Sequence, residues 1–446
     1  MRPIPPLSRP AQHWIPFNDH RAECCLCPRH CRPKNGRMGF CGVRGTVKGE
    51  IRSFNYGQSL AATEEIIETE AVNHFSPSAR ILSMGNVGCM MACSFCQNWE
   101  TSQIQHLDYK MVRHYTPEQL VEMCLENDIP IISWTYNDPV VWHEFVVETS
   151  LLAQKNGIKT LYKSAFYIEE APVKELLECI DIFSLSLKSL NAEFYQKQTK
   201  AKLQPVLDRI KQVADSGAYL ELSQLVIPEL NDQDEDIEQT IDWVIENIGV
   251  DVPLHFVAFH PAYQYTHVER TDIATLKHAR KLALAKGMKH IYLGNTYEPD
   301  LNDTACQSCG TVLVKRYGLH ATVQNLDNNA GCIQCGTPSP LIEPFTTKSS
   351  HSQEKKLAKQ LQIHWTDEVQ SAHILQTKSG GQTDTLLIHS LNDDYAVTKT
   401  LSHGLDRFIV SRRSDKETGI IISWDSDCDY QHLEVLDRAH YPVTFL

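Results

Sequence analysis

Three cysteines, Cys89, Cys93 and Cys96, stand within Gly85-Asn-Val-Gly-Cys-Met-Met-Ala-Cys-Ser-Phe-Cys-Gln-Asn98, a C-x3-C-x2-C array. Three thiolates that close can hold three corners of a [4Fe–4S] cube, which normally takes four cysteine ligands. The missing ligand leaves one iron open to a small molecule, and an open iron is a reaction site where a fully ligated cluster is an electron carrier. Zinc is the competing reading. Structural zinc, however, takes four N or S ligands in C-x2–4-C pairs, and only His106 stands nearby to complete a set. The odd count argues against disulfides.

Two further cysteine groups flank the array. Cys306-x2-Cys309 and Cys332-x2-Cys335 form two knuckles, each followed directly by a glycine, Gly310 or Gly336, as in a zinc ribbon. Tetrahedral zinc on four cysteines is the default there, with a second iron–sulfur cluster as the alternative. The N-terminal group, Cys25-x-Cys27-x3-Cys31-x9-Cys41, is less regular. Its C-x-C step is tight for a knuckle and Cys24 offers a fifth thiol, so the ligand choice stays open. Metal binding is still expected of so many thiols beside Arg29, Arg32 and Arg37, with structural zinc ahead of an auxiliary cluster.

The elements that must position these residues can be read from the alternation between residues 79 and 300. Candidate strands are Arg80–Met84, Pro130–Thr135, Lys159–Lys163, Ile182–Leu187, Tyr219–Val226, Leu254–Phe259 and Lys289–Leu293. Helical stretches lie between them. Thr116-Pro117-Glu118 supplies an N-cap, a proline at the first helical position and an acid at the positive dipole end. Gly157, Gly217 and Gly287 fall where a left-handed C′ residue is wanted. Strand–helix alternation at this spacing predicts an α/β fold with a parallel sheet: a partial (βα)6-type TIM-like barrel, with a doubly wound sheet as runner-up. The barrel rule puts active groups on loops after strand C-termini. It thereby nominates Tyr136, Asn137 and Asp138 after the second strand, Ser164 after the third, Lys188 after the fourth and His260 after the sixth.

Four segments result: a Cys-rich N-terminal segment (1–78), the barrel (79–300), a ribbon-like four-cysteine module (301–345) and an accessory α/β module (354–446). Between the last two, Thr346 to Gln353 reads as a Ser/Thr-rich linker. In the accessory module Glu354–Gln362 reads as helical, and Thr385–His389, Arg407–Val410 and Gly419–Ser423 read as strands. No apolar run reaches membrane-spanning length, and the proline-rich start lacks an apolar signal core. Fifteen cysteines then point to metal ligation in a reducing, cytoplasmic compartment. A net charge of −13 argues against a general nucleic-acid binder. Residues 1–48 are locally basic, with nine Lys/Arg against Asp19 and Glu23, which suits a shell around anionic thiolates.

The motifs together resemble those of the radical S-adenosylmethionine (SAM) enzymes, in particular the enzyme of the AmmeMemoRadiSam system, a relative of the pyruvate formate-lyase-activating enzymes. The resemblance rests on Cys25-Leu-Cys-Pro-Arg-His-Cys31 with Cys41-Gly-Val-Arg44, on Gly85 through Glu100, and on Pro228-Glu-Leu-Asn-Asp232. It continues through Phe259-His-Pro-Ala-Tyr263 and Tyr292-Leu-Gly-Asn295 to the last cysteine pairs. It implies a [4Fe–4S] cluster on Cys89, Cys93 and Cys96 that chelates SAM and cleaves it to a 5′-deoxyadenosyl radical. It also implies a reduced flavodoxin- or ferredoxin-like electron donor and a functional link to Memo-like and Ammecr-like proteins. This chain has Tyr136-Asn-Asp-Pro139 where the family has Tyr-Asn-Glu-Pro, Lys163-Ser164-Ala165 for Thr-Asn-Gly, and Ser186-Leu-Lys188 for Asp-Leu-Lys. Tyr136, Asn137, Asp138, Ser164, Ser186, Lys188 and His260 are thus the expected SAM contacts. The substrate could be a glycyl-radical protein, another macromolecule or a small molecule. The reading from a different class is a non-catalytic metal-binding adaptor.

Overall fold

A computed structural model describes residues 8–18, 21–296, 298 and 300–344, together with seven strand-bearing stretches between 359 and 436. Seven strands form the central sheet: β1 (Arg80–Asn86), β2 (Ile131–Thr135), β3 (Lys159–Ser164), β4 (Ile182–Ser186), β5 (Tyr219–Val226), β6 (Leu254–Ala258) and β7 (Ile291–Gly294). Each pairs in parallel with the next in chain order. A doubly wound sheet needs a reversal of strand order, and these seven strands have none. With right-handed crossovers, steps that all run one way place every helix on one face, which is the arrangement of a barrel wall.

The connecting helices are α1 (Pro117–Glu126), α2 (His143–Lys155), α3 (Glu170–Cys179), α4 (Leu203–Ser216), α5 (Asp234–Asn247) and α6 (Ile273–Ala285). Helix α1 starts with the expected cap. Thr116 Oγ1 accepts from Gln119 N at 3.3 Å and Gln119 Oε1 accepts from Thr116 N at 2.9 Å, a capping box. Helix α4 ends at Gly217 with φ 77°, the left-handed stop.

Among the described residues no pairing joins β7 to β1, so the barrel is open. Its β1 edge is instead covered by Gln58–Ile66, an antiparallel strand from the N-terminal segment. Inside, the barrel is layered. Ile81, Ile131, Leu161 and Ile182 form an apolar floor against Ile67, Val72, Phe75 and Ala79. The segment 67–79 plugs this end. Hydrogen bonds from Ser78 to Ala321 and from Ser76 to Glu343 then dock the C-terminal cysteine module beneath it.

Beyond residue 354 the expected mixed character is corrected: the elements described there are all strands. Lys359–His364 overlaps the stretch expected to be helical, yet pairs antiparallel with Gly419–Trp424. Leu361 and Ile363 alternate with Gln360, Gln362 and His364, a period of two that a sheet partner can exploit. Residues 354–358 of that expected helix, and Cys428, lie outside the described residues.

Candidate active site

The loop after β1 carries the triad. Gly88, at φ 86°, turns the chain so that a Cβ there would stand 2.9 Å from the Cys41 carbonyl, and only glycine fits both demands. Cys93 is buried, while Cys89 and Cys96 are half-buried. Met91 N donates to Cys89 Sγ at 3.3 Å, and Cys96 Sγ lies 3.4 Å from Ser102 Oγ. Burial pushes all three thiols up, Cys93 to about 12. They therefore stay protonated until a cation supplies the positive charge that makes them thiolates. Lys188 adds a cation on this side, its Nζ 5.8 Å from the Phe95 ring centroid.

Gln97 and Asn98, immediately after Cys96, form part of the wall of a cavity of about 290 Å³ inside the barrel. Tyr136, Ser186 and Lys188 line the same cavity. Asn98 Nδ2 donates to the Tyr136 carbonyl at 2.8 Å, while its Oδ1 is buried without a partner. The other expected contacts sit behind the wall. Asp138 Oδ1 accepts from Ser164 Oγ at 2.8 Å and from Val140 N at 3.2 Å, and Oδ2 accepts from Ala165 N at 2.8 Å. Asn137 ties the triad loop to β2, donating to the Asn86 carbonyl at 2.5 Å and accepting from Thr101 Oγ1 at 3.0 Å. His260 is buried just past β6.

Sequence reasoning did not anticipate the polar layer above the apolar floor. Lys163 Nζ donates to the Glu70 carbonyl, Ser184 Oγ and Ser223 Oγ at 3.0–3.1 Å. Burial pulls its ammonium down to about 8, against the opposing charge of Glu70. Glu70 accepts from Ser133 at 3.0 Å and Thr135 at 2.7 Å. Burial raises Glu65 to about 8, with Glu70 adding repulsion. Across the cavity Glu221 accepts from Asn73 N, His74 N, Tyr219 and His255 at 2.5–2.9 Å. Burial opposes its ionisation, but these donors win and hold it at about 2. A signal was available: Glu221 stands between Leu220 and Leu222, and Lys163 follows Leu161 and Tyr162, on strands that should be apolar throughout if buried on both faces.

In the C-terminal module four thiols converge. Cys306 and Cys335 Sγ are 3.5 Å apart, Cys309 and Cys332 Sγ 3.7 Å, and all four lie within 4.8 Å of one another. A single ion with metal–sulfur bonds of about 2.3 Å in a tetrahedron needs this spacing. The repeat Cys-x-x-Cys-Gly-Thr, at 306–311 and 332–337, builds both knuckles alike, with Gly310 and Gly336 each at φ 74°. In the N-terminal group Cys24, Cys27, Cys31 and Cys41 line one small cavity. Cys25, expected as a ligand, does not line that cavity; it lies with Glu23 and His30, whose ligand atoms and its own are within 4.8 Å of one another, because adjacent residues of an extended chain point to opposite sides.

A model of the radical SAM superfamily matches residues 85–244, the stretch from the triad through β5 into α5. The chain belongs to the radical SAM superfamily. It is 37% identical over 335 residues to an uncharacterized protein of Methanocaldococcus jannaschii, covering 75% of this chain and 99% of that one. It is 26% identical over 112 residues to the (2S)-3-sulfopropanediol dehydratase activating enzyme of Klebsiella oxytoca, covering 25% of this chain and 35% of that one. To the pyruvate formate-lyase 1-activating enzyme of Escherichia coli it is 23% identical over 163 residues, covering 33% and 61%. As a radical SAM protein with activating enzymes among its relatives, it is an enzyme, and the family implies a [4Fe–4S] cluster and SAM. No helix among the described residues is long and apolar enough to cross a membrane.

Proposed function

We propose that Cys89, Cys93 and Cys96 hold the [4Fe–4S] cluster, that SAM binds across Asn98, Tyr136, Ser186 and Lys188, and that the substrate occupies the polar cavity beneath. The observation that carries this reading is continuity: Gln97 and Asn98 of the triad loop are themselves cavity wall. When bound, cluster and SAM supply a 5′-deoxyadenosyl radical that removes a hydrogen atom from the substrate, with the electron coming from a reduced flavodoxin- or ferredoxin-type donor.

The chain's own groups hold and shield. Asn98 Oδ1, buried and unpartnered, is an acceptor suited to the SAM ammonium. Asp138, Ser164 and Asn137 lock the loops after β1, β2 and β3 together, so that the wall does not move. The apolar floor closes the far end against water. Lys163 and the serines around it offer a site for a polar or anionic substrate group. The activating-enzyme relatives favour a glycyl-radical protein as the substrate, and the motif resemblance favours work alongside Memo-like and Ammecr-like proteins. The module of Cys306, Cys309, Cys332 and Cys335 is read as a zinc site, matching the converged thiols.

Anaerobic reconstitution tests the reading. Wild type should release 5′-deoxyadenosine from SAM and reductant. Cys93→Ala should abolish release while zinc at the C-terminal module stays bound. Cleavage that survives in Cys93→Ala would sink the ligand assignment. Protein holding only zinc, with no cleavage, would favour the adaptor.

A further inference from the structure

We propose that Cys24, Cys27, Cys31 and Cys41 ligate a second, fully ligated [4Fe–4S] cluster that relays electrons to the SAM cluster, and that Cys25 is not a ligand. The inference rests on the radical SAM reading for the cluster it serves.

The three cysteine groups provide an internal comparison. In the C-terminal module the four sulfurs have closed to single-ion spacing. Among the described residues, no three sulfurs of the N-terminal group come within 4.8 Å of one another, although all four side chains face one cavity. The triad Cys89, Cys93 and Cys96 behaves the same way: its sulfurs also stay outside single-ion spacing. Sulfurs that ring a gap fit a cubane, whose thiolates bind different iron atoms, whereas one zinc draws all four onto itself.

The lining suits such a cluster. Leu26, Met90 and Val141 complete an apolar wall that would exclude water. A cluster held by four thiolates is anionic, and Arg29 and Arg44 line the cavity. Arg44 is 3% exposed; its NH1 is ion-paired to Glu144 at 2.8 Å, yet its Nε is buried without a partner. A guanidinium N–H left over at an anion site is a donor waiting for an acceptor. Phe40 N donates to Cys31 Sγ at 3.5 Å, the kind of bond that tunes cluster sulfurs. Cys25 has none of this. Its Sγ turns to the Glu23 carbonyl at 3.6 Å and lies with Glu23 and His30, away from the cavity lined by the other four thiols.

Position assigns the role. Met90 lines this cavity and Gly88 packs against the Cys41 carbonyl, and these two residues flank Cys89, a ligand of the SAM cluster. Arg29 Nε donates to the Met90 carbonyl at 2.5 Å, bridging the two sites. One electron from a reduced flavodoxin- or ferredoxin-type donor would reduce the outer cluster from 2+ to 1+. The same electron then passes to the SAM cluster, returning the outer one to 2+.

The test measures iron, sulfide and zinc in the anaerobically reconstituted full chain. Wild type should hold about eight irons and one zinc, and its reduced electron paramagnetic resonance signal should integrate to about two spins. Cys27→Ala and Cys41→Ala should fall to about four irons, with zinc retention reporting an intact fold, and Cys25→Ala should keep about eight. Cys93→Ala should also lose about four, which separates failure of the central site from failure of this one. Wild type with about four irons and two zincs, or iron loss in Cys25→Ala equal to that in Cys27→Ala, overturns the ligand set. With dithionite Cys27→Ala should still cleave SAM, and with a flavodoxin-type donor its rate should drop at least tenfold. Equal rates with both donors overturn the relay.

Discussion

Replacing Glu221 by glutamine should remove a pH-dependent component of stability whose size follows from the site. The carboxylate accepts two backbone N–H groups of the plug, from Asn73 and His74, and the side chains of Tyr219 and His255. Held at about 2 against the ordinary 4.5, it favours the folded state by about 3 kcal/mol at 1.36 kcal/mol per pH unit. Its folded value is depressed, so the contribution is fully present above pH 4.5 and is lost as pH falls through about 2. The Glu221→Gln side chain keeps the shape and cannot ionise. Urea unfolding of both proteins across pH 2–7 isolates the group, because other carboxylates cancel in the difference. The wild-type advantage should be about 3 kcal/mol at pH 7 and shrink steadily between pH 4.5 and 2. A difference that stays constant across that range would refute the assignment of Glu221 as an ionised anchor.

Lys163→Met should flatten an alkaline feature. Lys163 titrates at about 8 when folded and 10.5 when unfolded, so wild-type stability should rise with pH across that window, and the variant measured by the same unfolding series should not show the rise. Gly88→Ala forces a Cβ to 2.8 Å from Val43 Cγ1 at φ 86°. It should cost about 1–3 kcal/mol and lower iron occupancy at both cysteine sites, read by metal analysis. Cys309→Ala should release the ion of the C-terminal module, lower Tm by several degrees in a melting scan, and leave the central iron in place.

Much of the barrel was legible because its strands are short β-branched runs separated by well-signalled helix ends. All seven predicted strands overlap observed ones, with ends moving by a residue or two where pairing with a neighbour extended or trimmed them. The convergence of the cysteines was legible where knuckles repeat along the sequence, as at Cys306 to Cys309 and Cys332 to Cys335, whose sulfurs meet in the fold. Two things were not. That Cys24 and not Cys25 lines the N-terminal cavity depends on which face of an extended chain meets it, and one residue of register reverses that. The polar layer depends on contacts between residues of different elements, such as Ser133 with Glu70, 63 residues apart, and Asn73 with Glu221, 148 apart. Spacing along the chain carries no trace of such contacts. The helix expected at Glu354–Gln362 failed for a related reason: a sheet partner distant in sequence, Gly419–Trp424, decided the local conformation.

The polar layer also explains why the cysteine module at the far end of the barrel is more than a brace. Arg316 stands on its hairpin strand Val312–Tyr317, between the two knuckles, and reaches into the barrel cavity. There NH1 donates to Thr304 Oγ1 at 2.7 Å and to the Asn302 carbonyl at 2.9 Å, and NH2 donates to the Asn73 carbonyl at 2.5 Å. Asn73 N in turn donates to Glu221, whose other oxygen meets His255 on the cavity wall. Tyr292 closes the loop, bonded to His74 at 2.5 Å and to Thr304 at 2.8 Å. All of these links but that to the Asn302 carbonyl are buried, so breaking one of them leaves a polar group without water to replace its partner, at about 1–3 kcal/mol. An ion held by the four converged thiols would fix the hairpin and with it Arg316, and Arg316 is bonded to the plug under the cavity. Metal binding at one end of the barrel would thereby be coupled through bonded contacts to the geometry of the chamber in which the radical chemistry is proposed to occur.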